Sequence, residues 1–233
     1  MFAKNKDTGL VTFWVKLQQR GYKRSLPSLY NQLKKQNLKF NTQKKKVKKK
    51  TKPYIQMTFP GERIQIDVKT VPLKCIVGNF KLYQYTAIDE FSRVRYLQMY
   101  GEKSTYTSYK FLLEVTKYFK FKIYTIRTDN GTEFTKRLIS NNPNDKTIFE
   151  HGLAKLKIGH DLIKPYTPKH NGKVERSHRK DNERFYATHR FYSLEDARLQ
   201  LRKYNNEYNN FPMQPLDWKS PNEYLRDYFN KLK

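Results

Sequence analysis

One cysteine, Cys75, is all the sequence has, so the chain forms no intrachain disulfide and builds no cysteine-based zinc site. Long apolar runs are missing too. No stretch nears the roughly 20 residues that a membrane span needs, and the opening MFAKNKDTGL lacks the apolar core of a secretory signal. These absences point to a cytosolic protein. Acid is scarce: 21 Asp+Glu stand against 48 Lys+Arg, a net charge of +27, and residues 1–59 hold 16 basic side chains to one acidic, Asp7. Such a field draws polyanions from a distance, nucleic acid first; a membrane surface and a ribosomal-type RNA site are the other classes that charge leaves open. Core-forming material, by contrast, is plentiful. With 37% hydrophobic and 15% aromatic residues, the composition excludes a disordered chain despite a mean hydropathy of -0.94.

Four segments follow from the patterning. In residues 1–40, Leu10, Phe13, Trp14 and Leu17 recur at helical spacing, and Gly21 stops that helix. Ser25 caps a second helix carrying Leu26, Leu29, Tyr30 and Leu33 on one face. Two short helices around a glycine-containing turn read as a partial helix-turn-helix module or, equally, as a plain helical hairpin. In the first reading Ser28, Gln32, Lys35 and Gln36 form the face that touches DNA. Residues 41–58 are a Lys-rich linker, in which Lys44, Lys45, Lys46, Lys48, Lys49 and Lys50 repel one another and keep the chain extended. It is a solvated spacer, a non-specific phosphate contact through counterion release, or both. Residues 59–190 form the core and 191–233 a helical C-terminal tail.

Within the core, Arg63–Lys69 alternates strictly, with Ile64, Ile66 and Val68 on one face and Asp67 on the other. Further strands are expected at 80–89, 94–100, in KIYTIRTD and around Asp161–Ile163. Helices are expected at about 105–119, 147–156 and 172–188, and a last one from Ser193, where Asp196 completes a capping-box-like pair. The order implies an α/β fold, a mixed sheet with helices on its faces.

Three carboxylates stand out, each with an ordinary explanation. Asp67 suits the wet face of a half-buried strand, Asp129 the turn Asp129-Asn130-Gly131, and Glu175 the first turn of a helix. Taken together they mean more. If the first and fourth strands are neighbours at the sheet centre, Asp67 lies beside Asp129, and the long helix can bring Glu175 over the same end. Three carboxylates without a nearby lysine repel unless cations bridge them, and all-oxygen ligation suits Mg²⁺ or Mn²⁺. Two such ions serve an in-line phosphoryl displacement. Beside a +27 field, the natural substrate is a nucleic-acid phosphodiester.

Phe59-Pro-Gly-Glu-Arg-Ile-Gln-Ile-Asp67-Val, Ile126-Arg-Thr-Asp129-Asn-Gly-Thr-Glu-Phe134 and Pro165-Tyr-Thr-Pro-Lys-His-Asn-Gly-Lys-Val-Glu175-Arg-Ser resemble three ordered blocks of one family. It is the integrase core of DDE-type bacterial insertion-sequence transposases, related to retroviral integrases. The resemblance spans roughly residues 53–229, including the Trp218…Ser220-Pro221-Asn-Glu-Tyr224 tail. It implies an RNase H-like five-stranded mixed sheet and a catalytic metal site of Asp67, Asp129 and Glu175 holding two Mg²⁺ or Mn²⁺ ions. It implies hydrolysis at the element end, then attack of the freed 3′-hydroxyl on target DNA, without a covalent protein–DNA intermediate. Asn130, Gly131 and Phe134 would shape the loop behind Asp129, and Glu133 would buttress it. Arg179, and less so His178 and Lys173, would contact DNA phosphates. The implied partners are double-stranded DNA, both element ends and target, and further copies of the chain; the implied location is bacterial cytoplasm, at the nucleoid.

Two features depart from the family. Forty-five residues separate Asp129 from Glu175, more than is usual, with the surplus placed at the turn-rich Asn141–Lys146. The front end is short, as in a fragment or truncated copy. Two alternatives to a transposase remain: a nuclease of the same fold that only hydrolyses, and a catalytically dead DNA-binding remnant.

Overall fold

A computed structural model of the chain describes residues 2–6, 8–40, 56–142, 144–163 and 172–232. The lysine run Lys44–Lys50 and the stiff stretch from Pro165 through Pro168 to His170 lie outside those residues. The alternating run forms strand β1 (Ile64–Thr70), which pairs antiparallel with β2 (Tyr83–Asp89) and parallel with β4 (Thr125–Thr128). With β3 (Arg95–Tyr100) and β5 (Gly159–Leu162) the sheet order is β3-β2-β1-β4-β5. The expected adjacency of the first and fourth strands is therefore present, in a mixed five-stranded sheet.

Both faces of the sheet are covered, each for a reason visible in β1. Ile64 and Ile66 join Tyr85, Ala87 and Ile126 in a core closed by α3 (Thr105–Tyr118) and α4 (Ile148–Lys155), which contribute Phe111, Leu112, Val115 and Phe149. The other face carries Gln65, Asp67 and Lys69, and it is not left to water as a half-buried strand's polar side would be. α5 (Gly172–Arg184) and α6 (Leu194–Asn209) lie over it, and a second core of Val71, Leu82, Leu97, Met99, Phe185, Phe191 and Leu201 seals its far end.

The segment 191–233, expected as a helical tail, is helical and packs on the sheet. α6 covers the edge strand β3: Asn209 accepts from Arg95 N (2.8 Å) and, with Asn205, donates to Arg95 O, so this edge is paired by side chains. Ser193 accepts from Asp196 N, but the Asp196 carboxylate accepts from Tyr192 N, one residue before the cap. α6 is not the last helix: α7 (Pro221–Asn230) follows, with a full capping box between Ser220 and Glu223 and proline at its first position. The expected helix at 172–188 ends at Arg184, because Phe185 and Tyr186 turn into the second core.

At the front, α1 (Leu10–Gln18) and α2 (Leu26–Lys35) enclose a small core of Phe13, Leu29 and Leu33. Phe2, Phe13 and Phe40 meet one another edge-to-face, with centroids 4.9–5.8 Å apart. Gln32 and Lys35 are exposed on the outer face of α2.

Candidate active site

The parallel register of β1 and β4, Ile64 with Ile126 and Gln65 with Arg127, carries on to place Asp67 level with Asp129 just past the end of β4. Both project to the face covered by α5. Asp67 is half-buried, its side chain 19% exposed, whereas Asp129 is exposed. Burial, and after it the negative charge of Asp129, pushes the Asp67 carboxyl up to about 7; a hydrogen bond from Val68 N (2.9 Å) offsets only part of this. One oxygen of Asp129 accepts from Gly131 N (3.0 Å).

α5 is fixed to β1 by a ladder of matched repeats. Two residues of strand rise about 6.6 Å and four of helix about 6.0 Å, so Gln65, Asp67 and Lys69 meet Val174, His178 and Asn182 in turn. Gln65 Oε1 accepts from Val174 N (3.2 Å), His178 Nδ1 lies 3.4 Å from Asp67 Oδ2, and Lys69 Nζ donates to His178 O (3.2 Å) and to Asn182 Oδ1 (2.9 Å). His178 Nε2 is 2.9 Å from Thr86 Oγ1. Burial lowers the His178 pKa to about 3, so a neutral imidazole sits against Asp67. Glu175 lies on the same helix, about 4.5 Å along its axis before His178, and its side chain is exposed. Among the described residues no group of three or more His, Cys, Asp or Glu side chains stands close enough to hold a metal ion. The structure thus brings Asp67 and Asp129 together and sets α5 over them, but does not gather Glu175 into a preformed triad.

Other expected side chains have distinct places. Arg179, 68% exposed, is 4.0 Å from Glu183 on the outer surface of α5. Lys173 points inward and not to solvent: its amine donates to Glu90 O and lies 3.8 Å from the Glu90 carboxylate. Glu90 gathers Arg63 (2.7 Å), Gln65 (2.9 Å) and Lys173 at the start of α5; burial lowers the Lys173 pKa to about 8, and the Glu90 charge opposes that and holds the amine there. His178 is likewise no surface histidine. Asn130 Nδ2 donates to Ile163 O (2.7 Å), tying the turn to the end of β5, and Phe134 is buried edge-to-face on Phe149. Glu133 is buried beneath Gly131, where a Cβ would come within 2.6 Å of its carboxylate. The expectation that no lysine stands near the carboxylates is corrected. Lys103, 30 residues before Glu133, reaches it at 2.9 Å and feels the charge of Asp129 and Asp67 as well. Only the fold brings these side chains together, so no local pattern announces the pair.

Comparison with known proteins gives a consistent picture. Two family models described as integrase core domain match residues 58–168 and 156–221. The ORF3 protein of Spiroplasma virus SpV1-C74, which bears the name of a candidate integrase, is 30% identical over 195 residues, 80% of this chain and 53% of that protein. The retrovirus-related Pol polyprotein from transposon RE2 of Arabidopsis thaliana is 32% identical over 129 residues, 54% of this chain and 8% of its own length. The chain spans about half of the first relative and a small part of the second. In fold it is similar to the catalytic core domain of BIV integrase (TM-score 0.52, 19% identity, 74% of this chain and 99% of that one). It is also similar to the HTLV-2 integrase catalytic core domain in complex with magnesium, in a trimeric form (0.51, 18%, 71% and 96%). A chain of the simian T-cell lymphotropic virus intasome aligns over 88% of this chain and 68% of its own (0.54, 16%).

Proposed function

Residues 58–221 belong to the integrase core domain family of the retroviral integrase superfamily, and we propose that the chain is a DDE-type transposase that cuts DNA at element ends and joins them to a target duplex. The observation that carries this reading is the Asp67–Asp129 pair, two adjoining carboxylates in which burial first, and the charge of Asp129 second, raise Asp67 to about 7. All-oxygen donors with charge in excess fit a hard divalent cation, Mg²⁺ or Mn²⁺, singly or as two ions. Asp67 and Asp129 would hold it, and Glu175 would complete the set from α5. When bound, such a cation supplies Lewis acidity and a more acidic oxygen nucleophile.

The chain's own residues position the reactants. Gln65, His178 and Lys69 seat α5 on β1; Gly131 N–H orients Asp129; Arg179 faces outward to meet DNA phosphate. The lysine run adds sequence-independent grip, and α1 and α2 serve as a partial DNA-reading module with Gln32 and Lys35 on its outer face. First, a water oxygen bonds to phosphorus while the P–O3′ bond at the element end breaks, leaving a 3′-hydroxyl. That oxygen then bonds to a target phosphorus as the target P–O3′ bond breaks; at each step the attacking oxygen gives its proton to solvent and the leaving O3′ takes one up. Handling two ends at once calls for at least a dimer on DNA. Among the described residues no helix is long and apolar enough to cross a membrane.

The test is strand transfer by the full chain with Mg²⁺ or Mn²⁺, a supercoiled plasmid and labelled element-end duplexes. Joined product that disappears in Glu175→Gln supports the reading. Nicking without joining would replace it with a hydrolytic nuclease; tight, salt-sensitive binding without reaction would replace it with a dead remnant.

A further inference from the structure

The loop between β3 and α3 places one ammonium at the lip of the carboxylate pair. Lys103 follows Glu102, whose carboxylate accepts from Ser104 Oγ (2.8 Å) and Thr107 Oγ1 (2.6 Å), while Ser104 Oγ caps α3 at Thr107 N (3.1 Å). Both neighbours of Lys103 are therefore pinned. Its side chain runs to Glu133, 2.9 Å away, which is itself held under Gly131 in the turn that follows Asp129. The two partners are unequally buried: the Glu133 side chain is 3% exposed and that of Lys103 41%. An ammonium has three donors, and Glu133 takes one of them. A lysine present only to neutralise Glu133 has no reason to stay so open while it also feels the charge of Asp129 and Asp67. A phosphodiester, by contrast, must approach two carboxylates of its own sign, and a fixed cation at their edge lowers that cost where charge builds up.

From this geometry we infer that Lys103 contacts a non-bridging oxygen of the DNA phosphate that enters the Asp67–Asp129 site, and that Glu133 is the residue that positions it. The inference rests on the DNA-joining reading above. It adds a substrate contact to the reaction and gives the glutamate of the Asp129-Asn-Gly-Thr-Glu133 turn a role other than metal ligation.

The experiment uses the full chain and the labelled end duplex, with single phosphates replaced one at a time by uncharged methylphosphonates. Affinity and joining rate are measured for wild type, Lys103→Gln, Lys103→Arg and Glu133→Gln. For wild type, one replacement near the reacting phosphate should weaken binding by about tenfold, as for loss of a charge-assisted hydrogen bond. That sensitivity should vanish in Lys103→Gln, shrink in Glu133→Gln and persist in Lys103→Arg, which also guards against a folding defect. A purely structural Lys103–Glu133 pair would lower stability in Lys103→Gln yet leave the scan profile of the wild type, and that result overturns the inference. Wild type that neither binds nor joins DNA overturns the underlying reading together with it.

Discussion

Asp181, on α5, and Asp67, on β1, both face the layer between the sheet and its covering helices, and their surroundings are opposite. Asp181 accepts hydrogen bonds from Arg95 (2.8 Å), Gln84 (2.8 Å) and Tyr204 (3.0 Å), and Arg95 is fully buried with it, stacked over Tyr208 at 3.8 Å. Burial alone would push the Asp181 carboxyl up, but Arg95 and the Gln84 hydrogen bond outweigh it and hold it below its usual range. Asp67 has a neutral imidazole, a backbone N–H and a second carboxylate, and it rises to about 7. One acid is complete within the fold; the other leaves charge to be met from outside. A cation in direct hydrogen-bonded contact, as Arg95 is with Asp181 and none is with Asp67 among the described residues, is what separates a structural tie from a candidate reaction site.

The sharpest way to break the comparison is Asp129→Asn. Strand joining should fall below detection, while thermal melting shifts little because Asp129 is exposed; retained joining would remove Asp129 from the site. Next in size, Asp181→Ala should cost about 3–5 kcal/mol by stranding a buried guanidinium, measured by urea unfolding. Replacing both partners, Arg95→Met with Asp181→Leu, should recover much of that loss.

A smaller effect of the opposite sign is expected at Asp67. Its folded pKa, about 7, is above the unfolded value, so the stability it contributes is full below the unfolded pKa and is lost as pH rises through about 7. Asp67→Asn should thus stabilise the metal-free chain at pH 8 by something on the order of 1–3 kcal/mol and change little near pH 4. A pH series of melting curves checks it. An equal effect of the substitution at both pH values would mean that neither burial nor the charge of Asp129 raises the Asp67 carboxyl in the folded chain.

Local signals carried much of this into the sequence. The 2-residue alternation of Ile64, Ile66 and Val68 marks β1, the caps at Ser25 and Ser193 mark their helices, and the strand order brings Asp67 to Asp129. What was not legible depends on contacts far apart in the chain. Arg95 meets Asp181 across 86 residues and Lys69 meets Asn182 across 113, and nothing in either neighbourhood names its partner. Lys173 and His178 look like surface residues of a basic helix until Glu90 and Asp67 are seen beneath them. α7 is a different case. Ser220-Pro221 with Glu223 is a complete start signal; what the sequence does not announce is the preceding turn, where Asp217 and Trp218, neither of them glycine, adopt positive φ (51° and 64°).

The central claim, that Asp67 and Asp129 form a site for a divalent cation, is tested most directly by calorimetric titration of the metal-free chain with Mn²⁺ at pH 6 and pH 8, beside Asp129→Asn. Because the ion must displace the proton held by Asp67, wild-type binding should strengthen from pH 6 to pH 8 and level off above about 7, and it should be lost in Asp129→Asn. Binding of equal strength in wild type and Asp129→Asn, or none in wild type at pH 8, would contradict the account.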